Sequence, residues 1–431
     1  GQSHPSSSPM ASFMTALGEI PQKGETKKQK KQRIQGYVTF TEGKLFGEWI
    51  VKRKIDEGGF GKVYLMQHSK KPEHTAALKA EPNEVSGGSA IKLEIQVIRA
   101  LNKRGETPHI PQVFHAAKHR KYCYMIMTLL GENFKTLRKK NDKGDGSWAV
   151  LSVSAWIRLG IQSLYGLKVL HDNGFLHRDI KPSNFALGLA SDPDRATMVH
   201  LLDFGLARSF AFKSDGRWVT RLARSSVGFR GTSRYCSPNV HDKLESGRRD
   251  DIWSLFFVLI ELHCSLPWQK ETDKGAIEKI KCNCKDEIVM QNMPRELRPV
   301  LPQLRSMDCY QRPDYLAIYN AMKAVMTRYS ITPNEPYDWE KKPGAPKALR
   351  PAKAPEWYAP EAFFSTDPLG IDRSPAASVS QVAPVSHHVN PNLSSNSRSI
   401  LPPTSKQGSD RTTVTINDAD VFKMTQTHDD A

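Results

Sequence analysis

His177-Arg178-Asp179-Ile180-Lys181-Pro182-Ser183-Asn184, followed nineteen residues after Asn184 by Asp203-Phe204-Gly205, decides how this chain is read. The two runs supply the charged groups that phosphoryl transfer needs beyond the nucleotide. Asp179 can accept the proton of an attacking hydroxyl, Asn184 and Asp203 can hold magnesium against phosphates, and Lys181 can neutralise charge growing on the transferred group. The spacing has a physical cause: a tight loop must aim Asp179 and Asn184 into one cleft, while Asp203 enters from the end of another strand. Either triplet alone arises by chance, and Asp and Asn are common turn residues. Both triplets, in this order and at this spacing, imply an ATP-dependent kinase.

Upstream elements fall where that reading requires them. Ile55-Asp56-Glu57-Gly58-Gly59-Phe60-Gly61-Lys62-Val63-Tyr64 reads as strand, glycine-rich turn and strand. Gly58 and Gly61 would let backbone amides approach phosphates without a clashing side chain. The alternating segment Thr75-Ala76-Ala77-Leu78-Lys79-Ala80-Glu81 predicts a strand carrying the lysine that grips the α and β phosphates, Lys79. Ile91, Ile95, Ile98 and Leu101 recur at helical spacing, with Glu94 beside that face as the expected ion-pair partner of Lys79.

Length and charge fit this reading. A chain of 431 residues that is 39% hydrophobic can bury a large core. It contains no run of eighteen or more apolar residues, so no membrane span is expected; Ile252–Leu262 suits a buried helix instead. No apolar core of the secretory type stands near the N-terminus, and Met10 is a candidate natural start, so cytoplasmic residence is expected. The six cysteines form no regular framework, and Cys282-Asn283-Cys284 lacks zinc spacing, so all six read as reduced thiols.

Composition divides the chain at about 44 and 334. Residues 1–44 hold the basic run Lys27-Lys28-Gln29-Lys30-Lys31-Gln32-Arg33 and read as a disordered basic tail. Residues 45–334 form the folded body, and 335–431, rich in Pro, Ala and Ser, read as a mostly disordered tail. The first segment carries seven basic residues against three acids and the last ten against twelve, so the body holds about +15 of the net +17. Such a field favours acidic partners at short range. No zinc finger or aromatic RNA-binding signature shapes a nucleic-acid site.

Leu129-Leu130-Gly131-Glu132-Asn133, Gly231-Thr232-Ser233-Arg234-Tyr235 and Arg248-Arg249-Asp250-Asp251-Ile252-Trp253-Ser254-Leu255 resemble the casein kinase 1 superfamily. Phe175–Ala186, the run Gly228-Phe229-Arg230-Gly231-Thr232 and Tyr337-Asp338-Trp339-Glu340 are most similar to the tau-tubulin kinase branch. The resemblance spans about residues 45–342. It implies a two-lobed α+β protein kinase fold: a small lobe at about 45–127 built on an antiparallel sheet with one helix, a hinge at 128–131, and a larger helical lobe at 132–334. It further implies a serine/threonine kinase using ATP and Mg2+ on acidic or already phosphorylated proteins, with tubulin or microtubule-associated proteins as candidates; a monomer is expected. Lys181, two positions after Asp179, independently suits serine/threonine specificity.

The same resemblance assigns Ile55, Gly58, Gly59, Phe60, Gly61, Val63, Ala77 and Lys79 to the nucleotide pocket. Met127 stands at the back of the adenine site, and the backbone of Thr128, Leu129 and Leu130 is expected to meet the base. Thr232 is expected to tie the substrate-docking loop to Asp179 and Lys181. Asp251 is expected to brace the catalytic loop, and Arg234 with Lys279 to read a substrate anion. Two departures stand out. Asp56 replaces the first glycine of the phosphate loop, and Ser237-Pro238-Asn239 stands where most kinases have Ala-Pro-Glu. Ser209, Ser214, Thr220, Ser225, Ser226, Thr232 and Ser233 leave phosphorylation control open. Two competing readings are a scaffold that binds partners without turnover and a charge-driven microtubule or nucleic-acid binder.

Overall fold

The computed structural model describes residues 38–58, 61–83, 90–144, 147–341, 344 and 355–371. The chain divides into two compact units. One holds the described residues up to Ile91 with His115–Ile126, the other Lys92–Phe114 with the described residues from Met127 onward.

In the first unit, β1 (Leu45–Phe46), β2 (Trp49–Gly58), β3 (Gly61–His68) and β4 (Thr75–Pro82) pair antiparallel in succession. With β5 (Val113–Lys118) and β6 (Tyr122–Thr128) they make a six-stranded sheet in the order β1-β2-β3-β4-β6-β5. The two-residue period of a strand puts Tyr64 and Met66 of β3 and Ala76, Leu78 and Ala80 of β4 into one buried cluster. Val38 and Phe40 join that cluster, Phe40 meeting Phe46 edge-on at 4.8 Å, and the Phe40 amide donates to Tyr64 Oη at 3.2 Å. The fold thus begins before residue 45, because an apolar Val-Thr-Phe alternation extends the core that the basic run upstream lacks. Residues 1–37 lie outside the described part.

In the second unit, α1 (Ala90–Leu101), which begins in the first, buries Ile91, Ile95, Ile98 and Leu101. After β7 (Leu130–Asn133), Asn133 caps α2 (Phe134–Lys140) by accepting from the Thr136 amide at 3.0 Å. Ser152 caps α3 (Val153–Asp172), in which every residue from Ala155 to His171 is buried, so this helix is an axis of the unit. β8 (Phe175–Leu176), β9 (Phe185–Gly188), β10 (Val199–Leu201) and β11 (Arg208–Ser209) frame the loops after α3, and β12 (Ala211–Ser214) and β13 (Arg217–Thr220) form a hairpin. The helices α4 (Pro238–His241), α5 (Arg248–His263), α6 (Lys274–Asn283), α7 (Asp286–Val289), α8 (Val300–Ser306) and α9 (Tyr315–Arg328) follow. None of the described helices is long and apolar enough to cross a membrane. All six cysteines are free.

The packed chain runs past residue 334, where the tail was expected to begin. Asp338 Oδ2 accepts from the Ser152 amide at 2.7 Å, and Tyr337 is buried under the Arg158 guanidinium, 4.1 Å from the ring centre. Farther on, α10 (Pro360–Ser365) presses Phe363 on Tyr165 and Phe364 on Tyr319, with ring centres 3.8 and 4.8 Å apart. Glu356 is buried and its Oε2 lies 3.0 Å from His109 Nε2. Aromatic residues inside a proline-rich composition carry enough apolar area to dock, which composition averaged over the whole tail conceals. Residues 372–431 lie outside the described part.

Candidate active site

Two antiparallel pairings bring the diagnostic runs together. β8 pairs with β11, and β9 with β10 in the register Phe185↔Leu201. The Leu202 amide then donates to the Asn184 carbonyl at 2.9 Å, which sets Asp203 one residue from that junction. Asp203 has a left-handed backbone, φ 64°, after which Phe204 turns into the core, fully buried and 5.5 Å from the His177 ring. His177 Nε2 lies 2.8 Å from the Leu202 carbonyl, a second tie between the loops.

Asp179 is buried, and both of its carboxylate oxygens are held. Lys181 Nζ donates to Oδ2 at 2.5 Å, and Thr232 Oγ1 donates to Oδ1 at 2.6 Å. Asn184 Nδ2 donates to the Asp179 carbonyl at 2.9 Å, which orients its amide and leaves Oδ1 as the atom a cation would take. An amide oxygen and the Asp203 carboxylate are hard donors, the kind magnesium accepts when phosphates and water supply the remaining positions. Among the described residues no group of three or more His, Cys, Asp or Glu could hold an ion by itself.

The loop backbone is braced from α5 and α3. Asp251 accepts from the His177 and Arg178 amides at 2.7 and 2.9 Å and meets His171 Nε2 at 3.0 Å, while His171 Nδ1 lies 2.6 Å from Tyr315 Oη. Burial would raise the Asp251 carboxyl, but the bonds and charges from His171 and His177 hold it below the ordinary range. Arg178, also left-handed at φ 65°, donates Nε to the Leu206 carbonyl at 2.8 Å. Burial, with Arg208, Arg224 and Arg230 nearby, pushes its guanidinium down to about 10. Arg224 answers part of that charge by gripping Glu245 at 2.7 and 3.0 Å.

The docking loop is seated by contacts from residues distant in the chain. Gly231 sits at φ 99°, and a Cβ there would come 2.5 Å from the Arg178 carbonyl; only glycine lets the loop lie against the catalytic loop. Lys281, buried on α6, donates to the Ser233 and Cys236 carbonyls, the latter at 2.8 Å. Trp268 Nε1 donates to the Arg234 carbonyl at 3.0 Å. Ser237 Oγ and Asn239 Nδ2 both donate to Asp250 Oδ1, at 2.6 and 2.8 Å, so the unusual Ser-Pro-Asn run is anchored to α5. Pro238 opens α4 at a position where no amide is needed.

The expected anion readers stand differently. The Arg234 guanidinium donates Nη1 to the Gln269 carbonyl at 2.9 Å and Nη2 to the Glu271 carbonyl at 2.8 Å, while Lys279 is exposed on α6. Arg234 therefore spends two of its donors inside the protein, and no bond joins it to Lys279.

Of the nucleotide-pocket residues, Lys79 lies on β4 opposite Val63, and Ala77 is buried opposite Leu65. Gly58 ends β2 opposite Gly61, where φ is 127° and a Cβ would strike the Ala80 carbonyl at 2.1 Å. Gly61 thus has a reason within the sheet besides any phosphate. Ile55 is exposed, and the Asp56 carboxylate accepts from the Glu57 amide at 2.7 Å. Gly59 and Phe60 fall outside the described residues. In the second unit Met127 and Glu94 are buried, and Leu130 of β7 pairs with Gly188. The Thr128 amide donates to the Gln112 carbonyl at 3.0 Å, so that donor is already spent within the protein; Leu129 links β6 to β7.

A model of the protein kinase domain matches residues 49–327. The chain belongs to the protein kinase family. Its two units are the family's bilobal α+β fold. An inactive tau-tubulin kinase of Caenorhabditis elegans is 40% identical over 291 residues, covering 66% of this chain and 97% of that protein. A protein of the same worm assigned to the serine/threonine-protein kinases is 35% identical over 306 residues, 71% of this chain and 86% of that one. Another assigned to casein kinase I is 29% identical over 329 residues, 75% and 92% of the two chains. These relatives put this kinase-family chain in the casein kinase 1 superfamily, near the tau-tubulin kinase branch.

Proposed function

We propose that this chain is an active serine/threonine protein kinase that moves the γ-phosphoryl group of ATP to a Ser or Thr hydroxyl of acidic or already phosphorylated proteins. The observation that supports it most directly is the clamp on Asp179 between Lys181 and Thr232, with Asn184 and Asp203 held beside it through the Leu202 junction. Asp179 orients the incoming hydroxyl and takes its proton as the oxygen attacks. Lys181 lies against that carboxylate and offsets charge on the moving group, and gripping the other phosphates falls to Lys79. Asn184 and Asp203 would hold magnesium, which neutralises phosphate charge when bound. The substrate-anion role falls to Lys279 more than to Arg234, whose fork is engaged. Tubulin or its associated proteins are substrate candidates on the strength of a relative's name, and a cytoplasmic location goes with that reading.

A second reading is a binding scaffold without turnover. It is favoured by the relative named inactive and by Asp56 in the phosphate loop. Incorporation of labelled phosphate from ATP into a panel of acidic proteins separates the two. Turnover is expected, and Asp203→Asn should lower it at least ~100-fold, since charge stabilisation of this kind is typically worth ~3 kcal/mol or more. A parent protein no faster than Asp203→Asn would leave the scaffold.

A further inference from the structure

Lys281 is a buried cation of the larger unit that the phosphotransfer chemistry does not use. Its side chain is 2% exposed, and its ammonium lies 5.2 Å from the ring centres of both Phe257 and Trp268. A lysine so placed forfeits hydration, and burial pulls it down to about 8. What it gains is two backbone carbonyls, Ser233 and Cys236, with the Cys236 thiol a further 3.8 Å away.

Those carbonyls belong to the turn that carries Thr232. The Tyr235 and Cys236 amides both fold back onto the Thr232 carbonyl at 2.9 and 3.0 Å, so the turn is a single closed unit. Its carbonyls at 233, 234 and 236 all accept from Lys281 or Trp268. At its other end the Thr232 hydroxyl donates to Asp179. The turn is therefore strung between Asp179 and Lys281, and nothing in an isolated Gly-Thr-Ser-Arg-Tyr-Cys run would give its carbonyls a common direction.

We propose that Lys281 is a positioning residue for substrate: it sets the height and tilt of the Thr232–Cys236 turn, and through Thr232 the geometry in which an acceptor peptide meets Asp179. This rests on the protein kinase reading above. A neutral side chain of similar length would fill the same volume between Phe257 and Trp268 but withdraw the ammonium from the 233 and 236 carbonyls, the former keeping the Cys236 thiol at 3.6 Å. The consequence is a looser turn and poorer peptide engagement, with the rings around it still packed.

The test uses the full chain, with Lys281→Met beside the parent, and two readouts. Amide exchange at Tyr235 and Cys236 should quicken at least ~10-fold in Lys281→Met while exchange along α5 stays protected, as local rather than global opening requires. Peptide KM, with an acidic serine peptide as probe, should rise roughly tenfold with kcat changed less than threefold, the pattern of lost substrate engagement. Unchanged exchange in the turn overturns the proposal, and so does a loosened turn with unaltered peptide KM. Should Lys281→Met fail to fold, Trp268→Phe, which removes the neighbouring donor to the Arg234 carbonyl and leaves a smaller aromatic ring in its place, must loosen the same two amides; if it does not, the strung turn is wrong. A parent that transfers no phosphate refutes the kinase reading instead, and the exchange readout then decides the role of Lys281 by itself.

Discussion

Asp251 reaches across 73 positions of sequence to receive the Arg178 amide at 2.9 Å, and with its other oxygen the His177 amide at 2.7 Å. One buried carboxylate on α5 thereby fixes the backbone immediately before Asp179, and His171 on α3 holds that carboxylate in turn. The proton acceptor is aimed by a helix, which is a stiffer support than its own loop. Asp251→Asn keeps the shape but offers one acceptor where two are used, and turns an N–H toward an amide. It should cost about 3 kcal/mol of stability, the upper end for losing a hydrogen bond to a buried charge and leaving a donor unsatisfied. It should also slow phosphate transfer roughly 10- to 100-fold through misplacement of Asp179. Denaturant unfolding and kcat check the two halves; a loss under ~1 kcal/mol would mean that the loop supports itself.

How much of this was legible beforehand depends on the range of each interaction. The strands flanking the glycine-rich turn, the helix bearing Glu94 and the catalytic loop announce themselves in short patterns, because period and turn chemistry are local. Thr232 and Asp251 came into view through a family resemblance, since no local rule says that residues 53 and 72 positions from Asp179 will meet it or the backbone just before it. Lys281 was missed for the same reason, and Gly231 stood in the family runs without a role. Each looks ordinary in its own segment, and its role appears only when a distant carbonyl approaches. Arg234 was assigned to an anion by resemblance, and its carbonyl partners at 269 and 271, in a loop without pattern, gave no sign of their claim on it. The docked segment 355–371 was hidden by averaging, a few aromatic residues being diluted by prolines and lysines around them.

That segment carries its own consequence. Phe364 is fully buried, stacked on Tyr319 and near Phe363, and Arg312 Nη2 donates to the Thr366 carbonyl at 2.6 Å. Phe364→Ala removes a buried ring and leaves a cavity, which typically costs 3–5 kcal/mol, reduced where the site can collapse. A lower denaturation midpoint is expected, although the residue lies 37 positions beyond the end of the matched kinase domain at 327. A midpoint equal to that of the parent would show that the segment rests on the surface without contributing to the fold.

Acidity should weaken the protein in a way that a single histidine exposes. His200, 1% exposed on β10, is pushed down to about 3, chiefly by burial, with His109 and Arg195 adding to the effect and a bond to the Met198 carbonyl opposing it. In the unfolded chain the same imidazole titrates near 6.5. Between those values the unfolded state binds one proton more than the folded state, so stability falls as pH falls, by about 1.4 kcal/mol per pH unit for this residue. The contribution is whole above about 6.5 and is lost progressively toward 3. His119, His171, His241 and His263 are lowered by burial as well and steepen the same descent, while Asp172, raised by burial, opposes it just above the ordinary carboxylate range. His200→Gln keeps an N–H for the Met198 carbonyl but cannot titrate. Unfolding free energies measured from pH 6 to 4.5 should therefore fall less steeply in His200→Gln than in the parent, by about 1.4 kcal/mol per unit. Parallel slopes would mean that the ring is protonated, or reached by water, in the folded protein.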